Sequence, residues 1–143
     1  MRAEALIETD QLAEARTIIN DIRQRAKNSI DKHIAYAKDQ CEIALYPEFY
    51  FQNKETARKC LRWERRLELA MENGRYFDLR RWGLASKTLN AYFATEKNDV
   101  YDGQTYATYL KDAHYTAGKN EFYPIPYNQL YYVPGLYKQN KNY

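Results

Sequence analysis

Trp63-Glu64-Arg65-Arg66-Leu67-Glu68-Leu69-Ala70 and, after Met71-Glu72-Asn73, the run Gly74-Arg75-Tyr76-Phe77-Asp78-Leu79-Arg80-Arg81-Trp82-Gly83 decide how this chain is read. Apolar residues recur at three- and four-residue intervals, the spacing of one face of an α-helix. The spacing predicts a helix from about Lys54 to Asn73 with Trp63, Leu67, Ala70 and Met71 inward, stopped by Asn73-Gly74. A second helical stretch, from Tyr76 to about Thr95, is expected to carry Phe77, Leu79, Ala85, Leu89 and Phe93 inward. Gly83 bends it into two pieces. Trp63 and Trp82 are expected in the core.

Toward the N-terminus, Thr9 or Asp10 can cap a helix on which Leu12, Ala15, Ile19, Ile22 and Ala26 keep the same period. Met1, Ala5 and Leu6 read as the end of an earlier helix, which predicts a segment cut from a longer chain. Across the Thr9-Asp10 break, Ala5, Leu12 and Ala15 are expected to face each other as in a tetratricopeptide-type pair. Asp31 to Lys38 is expected to form a short helix with Ile34 and Ala37 inward. Cys41, Ile43 and Leu45 then alternate like an extended segment, broken at Tyr46-Pro47.

From Asn98 onward the period is lost, and Gly103, Gly118, Pro124, Pro126, Pro134 and Gly135 mark loops. Tyr123, Tyr127, Tyr131, Tyr132, Tyr137 and Tyr143 predict that this irregular tail packs against the helices, because disordered segments are poor in aromatics. The fold class is therefore all-α: a tetratricopeptide-like pair, packed helices and an aromatic-rich tail.

The 143 residues suit one domain, and an apolar fraction of 45% is enough for an ordinary core. The net charge of +3 is spread over 22 basic and 19 acidic residues with no block of one sign, which argues against nucleic acid as partner. His33 and His114 stand far apart, and no zinc spacing or CxxC occurs, so neither a metal nor a cofactor is expected. Cys41 and Cys60 can be joined or free. No apolar run approaches the roughly 20 residues of a membrane span, and no charged-then-apolar signal begins at Met1.

The two opening runs, followed by Tyr123-Pro124-Ile125-Pro126 and by Gln139-Asn140 before the final Tyr143, occur in the order of the C-terminal signature of SusD/RagB proteins, which the chain resembles over nearly its whole length. The leading helix, with Arg16, Ile22, Arg23 and Arg25 before Ala26, is similar to the last tetratricopeptide-like helix of that family. Three departures stand out: Tyr127 in place of a usual Gln, Lys141-Asn142 in place of Pro-Gly, and Asn73 where an acidic residue often precedes Gly74. The resemblance implies a single C-terminal portion of a longer protein, divided into last repeat helices (1–30), signature helices (54–97) and a loop with a wrapping tail (98–143). It implies non-catalytic nutrient binding at the outer-membrane surface, of a glycan or less often a peptide, in partnership with a SusC-like TonB-dependent barrel. Full members also carry a lipoprotein signal and a lipidated Cys, neither of which stands in this sequence.

On a helix Glu64 and Glu68 lie one turn apart, as do Arg62 and Arg66. Arg80 or Arg81 is expected to fork onto Glu64, because a planar guanidinium fixes helix register better than an ammonium. Glu64, Arg65, Asp78 and Arg81 are accordingly read as a structural ion network. The enzymatic alternative sets Glu64 or Glu68 with Asp78 as the acid and base of a hydrolase. For ligand binding the candidates are Tyr101, Tyr106, Tyr109 and Tyr115, which lie among Asp99, Asp102, Gly103, Gln104 and Asp112. Aromatic faces beside such polar side chains suit sugar rings, and packing of the tail is the plain alternative. A helical-repeat scaffold for protein partners is the second functional reading, and an intracellular nucleic-acid binder, resting on a pI near 8.7, is the third.

Overall fold

The computed structural model describes residues 1–33, 41–101, 104–105 and 107–143, whose regular elements are helices and one minimal two-stranded ribbon. They form two compact units, Met1–Glu72 and Asn73–Tyr143.

The first unit contains α1 (Arg2–Glu8), α2 (Leu12–His33) and α3 (Lys54–Glu68), with a 3₁₀ turn over Glu48–Phe51. Between α1 and α2 the chain reverses through Asp10 in the left-handed region, φ 62°. The Asp10 N–H donates to the Ile7 carbonyl and the Gln11 N–H to the Leu6 carbonyl, the paired bonds that close a helix C-terminus. The expected turn is present, but its packing differs. Ala3 and Ile7 are the buried residues of α1, while Ala5 is exposed. They meet Ala15, Ile19, Phe51, Ala57, Cys60 and Leu61 in one core.

The buried face of α3 is a correction to the sequence reading. Ala57, Cys60, Leu61 and Glu64 point inward, whereas Trp63 is 52% and Leu67 51% exposed, Ala70 is exposed, and Met71 lies beyond the helix end. Both sets keep the three-and-four spacing. The small side chains of Ala57 and Cys60 allow close packing against the other helices, a criterion that period alone does not contain. Asn53 caps α3, its side chain accepting the Thr56 N–H at 2.9 Å.

Asp31 to His33 are not the start of a separate short helix; they complete α2. Ile34 and Ala37 lie outside the described residues. From Cys41 to Pro47 the chain is non-helical, as expected, and is tied to α2 by Asn20, whose side chain pairs with both the N–H and the carbonyl of Tyr46 at 2.8 and 3.0 Å.

The second unit contains α4 (Arg75–Arg81), α5 (Ala85–Glu96), strands β1 (Val100–Tyr101) and β2 (Gln104–Thr105), a 3₁₀ turn Thr108–Leu110, and α6 (Tyr127–Tyr132). The strands pair antiparallel, Val100 with Thr105 and Tyr101 with Gln104. Gly83 takes φ +66° between α4 and α5, with Leu84 N–H donating to the Leu79 carbonyl at 2.8 Å, so the expected bend repeats the α1–α2 device. Leu79, Ala85 and Tyr115 are buried, with Tyr76, Leu84, Leu89 and Phe93 packed on them. Phe77 departs from expectation at 61% exposed, and Trp82 is half-buried.

The tail is also held differently from the reading of its rings. Tyr123, Tyr127, Tyr131 and Tyr132 are each at least 64% exposed, and Tyr137 and Tyr143 are 47% and 43% exposed. Tyr127 and Tyr131 stack on each other at 6.0 Å. Side-chain amides tie the tail to itself, Gln139 to Ile125, Asn140 to the Tyr123 carbonyl and Asn142 to the Gly118 carbonyl, while buried Tyr115, bonded by Asn90, joins it to the helices.

Candidate functional site

The centre of the first unit's polar architecture is the pair Arg23–Glu64, 2.7 Å apart, with side chains 16% and 9% exposed. Arg23 also donates to the Ala44 carbonyl at 2.6 Å and lies over the Tyr46 ring at 4.6 Å. One guanidinium thus joins α2, the extended segment and α3. Arg23, from the leading helix, holds the carboxylate for which Arg80 or Arg81 was expected. Burial, and then the negative charge of Glu64, push the Tyr46 hydroxyl up to about 12. Arg25 pairs with Glu68 one turn further along α3. Both glutamates proposed as hydrolytic groups are therefore engaged by arginines of α2.

In the second unit Asp78 is buried and accepts a hydrogen bond from Arg81 at 2.9 Å, one turn along α4. This pair braces α4 internally. Arg65 is half-buried and lines an apolar groove of about 150 Å³ with Ala3, Ile18, Ile22, Leu61 and Leu69.

The four candidate tyrosines fare unequally. Tyr115 is 5% exposed, and its backbone N–H and carbonyl are clasped by the Asn90 side chain at 2.7 and 2.9 Å. Burial pushes its hydroxyl well above the ordinary tyrosine value. It is a core residue, and its ring face is closed to a ligand. Tyr109 is 80% exposed, on the 3₁₀ turn. The backbone of Tyr101 belongs to β1; its side chain and the whole of Tyr106 lie outside the described residues. Close in sequence to Tyr109, an open depression of about 300 Å³ is lined by Lys97, Ala107, Thr108 and Lys111. Lys97 is fixed there by donating to the Ala113 carbonyl at 2.9 Å. Tyr92, 47% exposed, is raised first by the charge of Glu96, then by burial and by Tyr109.

Cys41 is exposed, Cys60 is buried, and both are free thiols; burial raises the Cys60 thiol. Among the described residues no group of three His, Cys, Asp or Glu is placed to hold a metal ion, and no helix is long and apolar enough to cross a membrane.

These features define a helical scaffold in which Arg23–Glu64 and Arg25–Glu68 hold α2 on α3 and Arg81–Asp78 braces α4. The family model of the SusD family matches residues 1–143, the whole chain, and the chain belongs to the SusD/RagB family. Its members are nutrient-binding, non-catalytic proteins of the outer-membrane surface, associated with SusC-like transporters. No curated protein matches the chain.

Proposed function

We propose that this chain serves non-catalytic capture of a glycan, or of a peptide, at the outer-membrane surface and works with a SusC-like TonB-dependent barrel. The family match over the whole chain carries the reading. The engagement of Glu64 by Arg23 and of Asp78 by Arg81 supports it, since a carboxylate braced by a guanidinium is a poor general acid. Tyr109, with Tyr101 and Tyr106, supplies the rings on which a sugar stacks, and Tyr115 leaves that set. The test is direct: titrate the purified chain with an oligosaccharide panel and co-purify it with a TonB-dependent barrel. A chain that binds no oligosaccharide or peptide and associates with no barrel rejects the reading. The apolar groove of the first unit favours a second reading, a helical scaffold for a protein segment. A stable protein partner without glycan binding would select it.

A further inference from the structure

Phe77 lies on the most charged stretch of the second unit and yet leaves 61% of its surface to solvent. With Arg80, Arg81 and Glu121 it lines an open depression of about 360 Å³, within the roughly 300–1,000 Å³ range of small-molecule sites. The lining charges are arranged unevenly. Arg81 is drawn to Asp78 at 2.9 Å. Arg80 lies over the rings of Tyr76 and Phe122, at 5.7 and 6.0 Å, so ring faces hold it while its N–H edge can still donate. Glu121 has one carboxylate oxygen, Oε2, sealed from water with no hydrogen-bond partner among the described residues. A carboxylate that has lost hydration on one oxygen depends on donors brought to the other.

A ligand here meets a cationic donor and an anionic acceptor around one space. A carboxylate or phosphate ligand is opposed by Glu121, and an ammonium by Arg80. A purely apolar ligand removes water from both charges and returns nothing. Neighbouring hydroxyls do both jobs, accepting from the guanidinium and donating to the carboxylate. The exposed ring of Phe77 then offers a flat surface to the C–H face of a sugar. We propose that the depression formed by Phe77, Arg80, Arg81 and Glu121 binds one neutral, hydroxyl-rich sugar ring, a subsite separate from the Tyr109 surface. This deepens the nutrient-binding reading and rests on it.

The test follows amide NMR shifts of residues 77–81 and 121 in the full chain, titrated with the methyl glycosides of glucose, mannose and galactose, and with glucuronate and glucosamine. At least one neutral glycoside is expected to give saturable shifts there, with both charged sugars several-fold weaker. Phe77→Ala and Glu121→Gln are each expected to weaken binding roughly tenfold. Phe77 is exposed, so its variant should keep the native spectrum; should it not, Glu121→Gln alone decides. The proposal is overturned if no neutral glycoside shifts these amides, if glucuronate binds more tightly, or if a folded Phe77→Ala and Glu121→Gln bind as the parent does. An oligosaccharide lost in Tyr109→Ala but kept in both pocket variants removes the subsite and leaves the family function standing. Failure of oligosaccharide, peptide and barrel alike strikes the underlying reading.

Discussion

Gln139 holds Ile125 as a neighbouring strand would: its Oε1 accepts the Ile125 N–H at 2.8 Å and its Nε2 donates to the Ile125 carbonyl at 3.0 Å. The same Oε1 also accepts the Asn140 N–H at 2.8 Å. One side chain thus joins the Pro-Ile-Pro segment to the closing residues, in a place where Pro124 and Pro126 have no N–H to contribute.

Gln139→Ala should therefore loosen the tail by about 1–3 kcal/mol, the cost of leaving such groups half-paired. Gln139→Glu should recover only part, because a carboxylate accepts from Ile125 N–H but cannot donate to its carbonyl. Hydrogen exchange at the Ile125 amide reads the effect locally. Unchanged protection in Gln139→Ala would mean that the ring stacking of Tyr127 and Tyr131 suffices to order the tail.

The Arg23–Glu64 pair makes a stronger demand. Arg23→Met leaves Glu64 charged and nearly enclosed, and the expected loss is about 3 kcal/mol, since breaking a buried pair from one side strands the other charge. Arg23→Met with Glu64→Leu should be milder than the sum of the single changes. A denaturant double-mutant cycle with no coupling would show that the pair does not brace α2 on α3.

How far the sequence could be read is clearest on α3 and α4. The periods located α2, α3 and the α4–α5 bend at Gly83, a φ > 0 turn written in a local residue type, but α3 stops at Glu68, ahead of the Asn73-Gly74 signal expected to end it. The inward face of α3 was not written locally: 57/60/61/64 and 63/67/70/71 have equivalent spacing, and the choice lies in what packs opposite. For the same reason Arg23 could not be matched to Glu64, 41 residues away. Tyr115 and Tyr109 looked alike in a loop-like context, yet the Asn90 clasp holds one in the core while the other is 80% exposed.

That exposed face gives a comparative prediction. Trp63→Ala should change stability by no more than about 0.5 kcal/mol, as for a surface site. Leu79→Ala, at a position only 2% exposed, should lose about 2–5 kcal/mol. Equal losses in thermal or denaturant unfolding would put Trp63 back in the core.

Glu8 and Tyr46 set opposite ends of the pH profile. The hydrogen bond from Arg58 holds the Glu8 carboxyl below its ordinary value of 4.5. A folded-state value below the unfolded one adds stability above the unfolded value, and that stability fades as pH falls through the folded value. The pair is exposed and screened, so the acid loss should be small and weaker still in high salt. Arg58→Gln should remove it.

Tyr46 runs the other way, its hydroxyl raised from 10.0 to about 12. With the folded value above the unfolded one, its contribution is fully present below pH 10 and declines as pH climbs toward 12, because only the unfolded chain readily releases the proton there. Tyr46→Phe should flatten this alkaline loss while keeping the Asn20 bonds, which use only the Tyr46 backbone. Glu64→Gln in the parent should shift tyrosinate absorbance from this ring to lower pH, since one source of the rise is the Glu64 charge. A titration that Glu64→Gln leaves unmoved would assign the whole rise to burial and would break the electrostatic link between the extended segment and α3.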